Sequence, residues 1–141
     1  MTYAHYQPAV IMKAFTWAYE ELGLSPFEAA AMLGVSERGL LQTALVGFDV
    51  TSAETEIQLA FIRLYHLLYA LSDGDSEKMI TWFTQPNLHL AETPKLMCRD
   101  KAGLTCIIDY LEGMQADIKL PDVDFTLPKR APQPAAQGLH R

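Results

Sequence analysis

Five residues in one short stretch, Ser36, Glu37, Arg38, Leu41 and Gln42, have the types and spacing of a helix face that reads base edges in a DNA groove. A guanidinium at Arg38 can pair with guanine and a carboxamide at Gln42 with adenine. They lie within "SPFEAAAMLGVSERGLLQTA", residues 25–44, which has the outline of a helix-turn-helix. Such a pair of helices needs a small residue at its crossing, a glycine in its turn and apolar residues on either side; Ala30, Gly34, Leu33, Val35 and Leu40 supply them. Charge works against a strong grip on DNA. Residues 1–50 hold Lys13 and Arg38 against Glu20, Glu21, Glu28, Glu37 and Asp49, within a chain of formal net charge -6. Stable DNA binding relies on neutralising roughly 6 to 10 phosphates, so backbone N–H groups at helix starts and polar side chains would have to stand in for missing cations. The stretch therefore suits two roles: an operator-reading module, or a helical packing unit that does not bind DNA.

The elements that must position these residues are helical throughout. Pro8 opens "AVIMKAFTWAYEELGL", in which Val10, Ala14, Trp17, Ala18 and Glu21 to Leu22 follow a 3.6-residue period and Gly23 ends the run. Ser25 caps a second helix, with Pro26 at its first position and Glu28 placed to complete a capping box; Gly34 stops it. Ser36 caps a third segment expected to reach about Val46. Thr51 with Glu54 forms a further capping box before a long helix to about Ser72. That helix is apolar almost all round, so it is expected to be both the centre of the fold and a surface shared with a second subunit in a homodimer. Asp75 or Ser76 starts a helix that stops at Pro86, Thr93-Pro94 starts a short one, and Asp100 starts a last one through about Met114. The reading is an all-α protein: a helix-turn-helix module over 1–50, the long helix and a small helical domain over 51–115, and an arm over 116–141.

Between the long helix and the arm the parts follow an unusual order. A Trp sits near the end of a short helix, then come a Pro-Asn stop, a leucine-bearing loop, Thr-Pro, and a Gly inside the last helix. In this order Trp82, Phe83, Pro86, Asn87, Leu88, Leu90, Thr93, Pro94, Leu96 and Gly103 resemble the toxin-binding domain of the MbcA/ParS/Xre antitoxin family, over about residues 60–114. The upstream helix-turn-helix matches the Xre-like region such antitoxins carry. The chain departs from the family pattern at Ala91 and Glu92, where glycines often stand.

The resemblance implies a bacterial type II antitoxin that binds a cognate toxin, often a RES-type enzyme that consumes NAD, and that represses its own operon through operator DNA. On that reading the toxin-binding residues are Trp82, Phe83, Asn87, Leu90, Thr93, Tyr110, Met114 and, in the arm, Phe125. Aromatic residues and methionine are the types that anchor protein interfaces, although Trp82 and Phe83 also suit a core. In the arm, Ile118, Leu120, Val123, Phe125 and Leu127 nearly alternate, so an extended strip could lie on the toxin; a tail without a role fits the same residues. A free-standing transcriptional regulator with no toxin is the alternative function.

Other chemistry has little support. The histidines are scattered and Cys98 and Cys106 lack zinc-ligand spacing, so no metal is expected. "DGDSE" at 73–77 begins like a calcium loop without its continuation. No nucleophile elbow, phosphate loop or dinucleotide fingerprint occurs, so neither catalysis nor a cofactor is expected. Nothing resembles a secretion leader, and the longest apolar stretch falls short of the roughly 20 residues a bilayer span needs. A cytoplasmic protein without a membrane partner is the expectation.

Overall fold

Pro8, whose fixed φ suits a first helical turn, and Gly23, at φ 84°, bound the first helix, α1 (Pro8–Glu21). The computed structural model describes residues 6–117, and six further helices follow among them. These are α2 (Pro26–Leu33), α3 (Glu37–Gln42), α4 (Ala53–Leu71), α5 (Ser76–Thr84), α6 (Pro94–Met97) and α7 (Lys101–Asp117). The fold is all-α; the sole extended pairing among the described residues is one antiparallel bridge between Asn87 and Glu92. Phe125, with its flanking apolar strip, lies outside the described residues.

Local chemistry places the helix starts. The Glu28 N–H donates to Ser25 Oγ (3.1 Å) and the Ser25 N–H donates to Glu28 Oε1 (2.9 Å), the reciprocal box expected at α2. Gly34, at φ 75°, closes α2, and the Gly39 N–H donates to Ser36 Oγ (2.9 Å) to open α3. Asp75 does the same for α5 through the Lys78 N–H (3.2 Å).

Three local expectations need correction. The third helix stops at Gln42, short of Val46: the Thr43 hydroxyl donates back to the Gly39 and Leu40 carbonyls, and the Val46 and Gly47 N–H groups both turn onto the Thr43 carbonyl. The cap of α4 is Ser52, which receives the Thr55 N–H; Thr51 instead gives both its N–H and its hydroxyl to Asp49. The buried face of α1 is Ile11, Met12, Phe15, Ala18 and Tyr19, whereas Val10 is 50% exposed. A helix with apolar residues on both sides offers two stripes of similar period, and packing against α4 selected the other one.

The core is built on α4. Phe61, Leu64 and Leu67 are fully enclosed, with α1 on one side and α7 on another. Tyr19, Phe15, Phe61 and Phe83 form a chain of edge-to-face rings, with centroids 5.3, 5.8 and 6.0 Å apart, that runs from α1 through α4 into α5. Lys101 pairs with Glu56 (2.6 Å) near the starts of α7 and α4, and Arg63 with Glu112 (2.7 Å) further along, so the two helices run in the same direction. None of the exposed large hydrophobic side chains among the described residues belongs to α4. Most of its apolar surface is thus met by its own chain, with Ile57, Leu59, Tyr69 and Leu71 left half-buried.

Candidate functional site

The Pro86 stop sends the chain out of α5 into a tight turn. Asn87 organises it: its Oδ1 accepts the N–H groups of His89 (2.8 Å) and Leu90 (3.0 Å), and its backbone carbonyl accepts the Ala91 N–H (2.8 Å). The bridge to Glu92 closes the turn. Ala91 is left at φ 64°, a left-handed conformation that costs an L-residue roughly 1–2 kcal/mol.

The consequence is a side-chain arrangement that no periodic pattern foretells. Trp82 of α5 and Tyr110 of α7 stack with centroids 6.4 Å apart at 14°, and His89 of the turn stacks on Tyr110 at 5.9 Å and 24°. Three rings from three segments so form a ladder, half-buried at Trp82 and Tyr110 and exposed at His89. Beside it Leu88 projects from the turn at 97% exposure. Met114, one helical turn beyond Tyr110 on α7, and Leu90 are half-buried and pack against the core from the same region. A fixed turn thus carries a bare leucine next to flat rings.

Several expected residues have other duties. Phe83 has no exposed surface and belongs to the ring chain of the core; it cannot touch a partner without unfolding α5. Asn87 spends its side-chain oxygen inside the turn. Thr93 is the residue before α6 and makes no side-chain cap there. The structure therefore brings together Trp82, Tyr110, Leu90 and Met114, sets Phe83 apart, bares Leu88 of the loop pattern beside them, and adds His89, whose loop position gives no spacing signal.

The residues expected to read DNA all fall on or beside α3. Glu37, Arg38, Leu41 and Gln42 are exposed, and Leu40 is the inward anchor. Arg38, Leu41 and Gln42 share one face by their three- and four-residue spacing. Ser36 Oγ accepts the Gly39 N–H as the cap of α3, which leaves its O–H able to donate elsewhere.

One ion pair joins this half of the molecule to the turn. Glu28, already holding the start of α2 with Oε1, receives Lys95 of α6 on Oε2 at 2.7 Å. The Lys95 hydrogen bond and then the Ser25 N–H hold the Glu28 carboxyl below its ordinary value. Cys98 at the end of α6 is buried, which pushes its thiol up to about 12, so it is protonated and unreactive; Cys106 is exposed. Among the described residues no group of His, Cys, Asp or Glu side chains converges to hold a metal ion, and no helix is long and apolar enough to cross a membrane. Compared with known proteins, the chain matches no family model and no curated protein.

Proposed function

We propose that this chain is the antitoxin of a bacterial type II toxin–antitoxin pair, acting in the cytoplasm by covering its toxin and repressing its own operon through α2 and α3. The observation that carries this reading is the ladder of Trp82, Tyr110 and His89 beside the bare Leu88, on a turn whose shape Asn87 fixes. Preorganised flat rings lose little side-chain entropy when a partner covers them, which is why such groups carry binding energy. The family resemblance makes a RES-type NAD-consuming enzyme the toxin class to try first. Inhibition is by occlusion, and the antitoxin itself performs no reaction.

The test is co-expression of the full chain with the product of the adjacent gene, read by growth rescue and co-purification. Trp82→Ala and Tyr110→Ala are expected to lose rescue while Arg38→Ala keeps it. A neighbour that is harmless alone, or ring variants that rescue as well as the parent, would reject the reading.

A second reading, a free-standing regulator, draws on the exposed face of Arg38, Leu41 and Gln42. It requires salt-sensitive, sequence-specific binding of the isolated protein to its own promoter. Under it, Arg38→Ala and Gln42→Ala relax specificity, and no partner protein changes the outcome.

A further inference from the structure

A groove runs between α2 and α6. Phe27 and Ala31, one turn apart on α2, form one wall; Leu96 and Arg99, one turn apart on α6 and just past its end, form the other; buried Met32 and Cys98 form the floor. Phe27 is 66% and Leu96 44% exposed, so both rims are apolar and bare. The cleft between them holds about 40 Å³, room for one side chain and far below the roughly 300 Å³ at which small-molecule sites begin. Glu28 and Lys95 close on each other across it, which leaves Arg99 as the groove's spare charge: it takes part in no salt bridge among the described residues. The neighbouring Asp100 is turned to the start of α7, where its Oδ1 accepts the Gly103 N–H (2.7 Å).

An occupant that fits brings one apolar side chain for the cleft, another for the rims and a carboxylate for Arg99. The chain carries such a segment itself. From Asp117 it continues "IKLPDVDFTLPKR", in which Val123, Phe125 and Leu127 alternate with Asp122 and Asp124. The lengths match as well. α7 begins two residues after Arg99 and, at 17 residues, is about 25 Å long; residues 118–125, fully extended, span about 26 Å. A chain that turns back along α7 therefore brings Asp124 and Phe125 level with Arg99. The outward face of α7 leaves that path clear, since Ala102, Cys106 and Gly113 are exposed there and all small.

Tethering favours this occupant over a free one. So shallow a cleft gives a free peptide a weak hold, but a short tether presents the segment at about 1 mM, and a contact with a dissociation constant of about 0.1 mM is then populated roughly nine times in ten. We propose that residues 121–127 of this same chain lie across the α2–α6 groove, with Val123 in the cleft, Phe125 against Phe27 and Leu96, and Asp124 paired with Arg99. The strip then straps α2 to the segment that follows the Asn87 turn. The contact lies within one chain and does not rest on the toxin reading: a protein that neutralises nothing makes it equally well.

Hydrogen exchange of the full chain, read by mass spectrometry at two protein concentrations, tests it. The amides of 122–127 are expected to exchange about tenfold more slowly than in a synthetic peptide of residues 118–130, equally at both concentrations. Phe27→Ser and Leu96→Ser are each expected to bring the rate to within about twofold of the peptide, while α4 keeps its protection, since both side chains are exposed. Arg99→Glu is expected to cost about threefold in protection, and Arg99→Glu/Asp124→Arg to regain it. Exchange at the peptide rate in the parent overturns the proposal, as does protection that grows with concentration, which assigns the groove to a neighbouring copy. Protection that survives both serine variants, or a charge-exchanged variant no better than Arg99→Glu, overturns it too.

Discussion

α3 and α7 each present candidate contact residues, yet they are held in place by different means. α3 has six residues and a single buried one, Leu40; its ends rest on the Ser36 cap and the Thr43 turn. α7 has 17 residues, buries Leu104, Ile107 and Leu111 completely, and is tied to α4 by two ion pairs. Helices shorter than roughly 12–15 residues are marginal by themselves, so α3 owes its order to neighbours and caps, whereas the side of α7 facing Trp82 is enforced by the common core. Local opening is therefore expected to begin at α3, whose order depends on caps and a single buried side chain.

The widest separation of the two regions is expected from the core. Phe83→Ala removes a ring that touches Phe61 and is expected to lower the global unfolding free energy by about 4 kcal/mol, measured by urea denaturation, with the helix signal and the Trp82 environment lost together. Leu40→Ala breaks the comparison from the other end. It is expected to cost about 2 kcal/mol, read by hydrogen exchange as loss of protection over α3 while α7 keeps its own; equal loss in both would show that the two regions open as one.

Ala91→Gly sharpens the contrast by improving the ladder's side. Relieving the left-handed alanine is expected to raise the melting midpoint by a stability gain of about 1 kcal/mol, without altering exchange in α3. The smallest expected effect is on acid sensitivity. Folding holds the Glu28 carboxyl below its ordinary 4.5, so its contribution is present above that value and is lost as pH falls through the folded one. Glu28→Gln is thus expected to flatten the loss of stability between neutral and acid pH, measured by thermal melts, and to leave the capping geometry of α2 in place.

Much of the scaffold was legible because its signals are local. Ser25, Glu28, Ser36 and Asp75 sit where the backbone donors of a first helical turn need acceptors, and Gly23 and Gly34 sit where a positive φ ends a helix. Competition between near-equivalent residues was not legible. Thr51 and Ser52 can each cap α4, and the choice fell to Ser52 because Asp49 engages Thr51. On α1 a stripe through Val10, Ala14 and Trp17 competes with one through Ile11, Phe15 and Leu22, and the second is the one packed into the core. In the candidate site Trp82, Tyr110, Leu90 and Met114 were recognisable by type and order. Leu88 was legible as part of the loop pattern but not as a bare contact residue, and His89 was not legible at all, since a turn held by Asn87 has no period to betray which side chains it throws together; Phe83 was misplaced because adjacent helix positions point about 100° apart.

Gly103 lies where α7 crosses α6, and a β-carbon there would strike the Met97 carbonyl oxygen. Only a glycine lets the two helices approach this closely, and α7 in turn covers one side of α4. On the ribosome the side chains of α4 emerge long before that cover does. Apolar side chains left without that cover are the kind of surface through which incompletely folded chains aggregate.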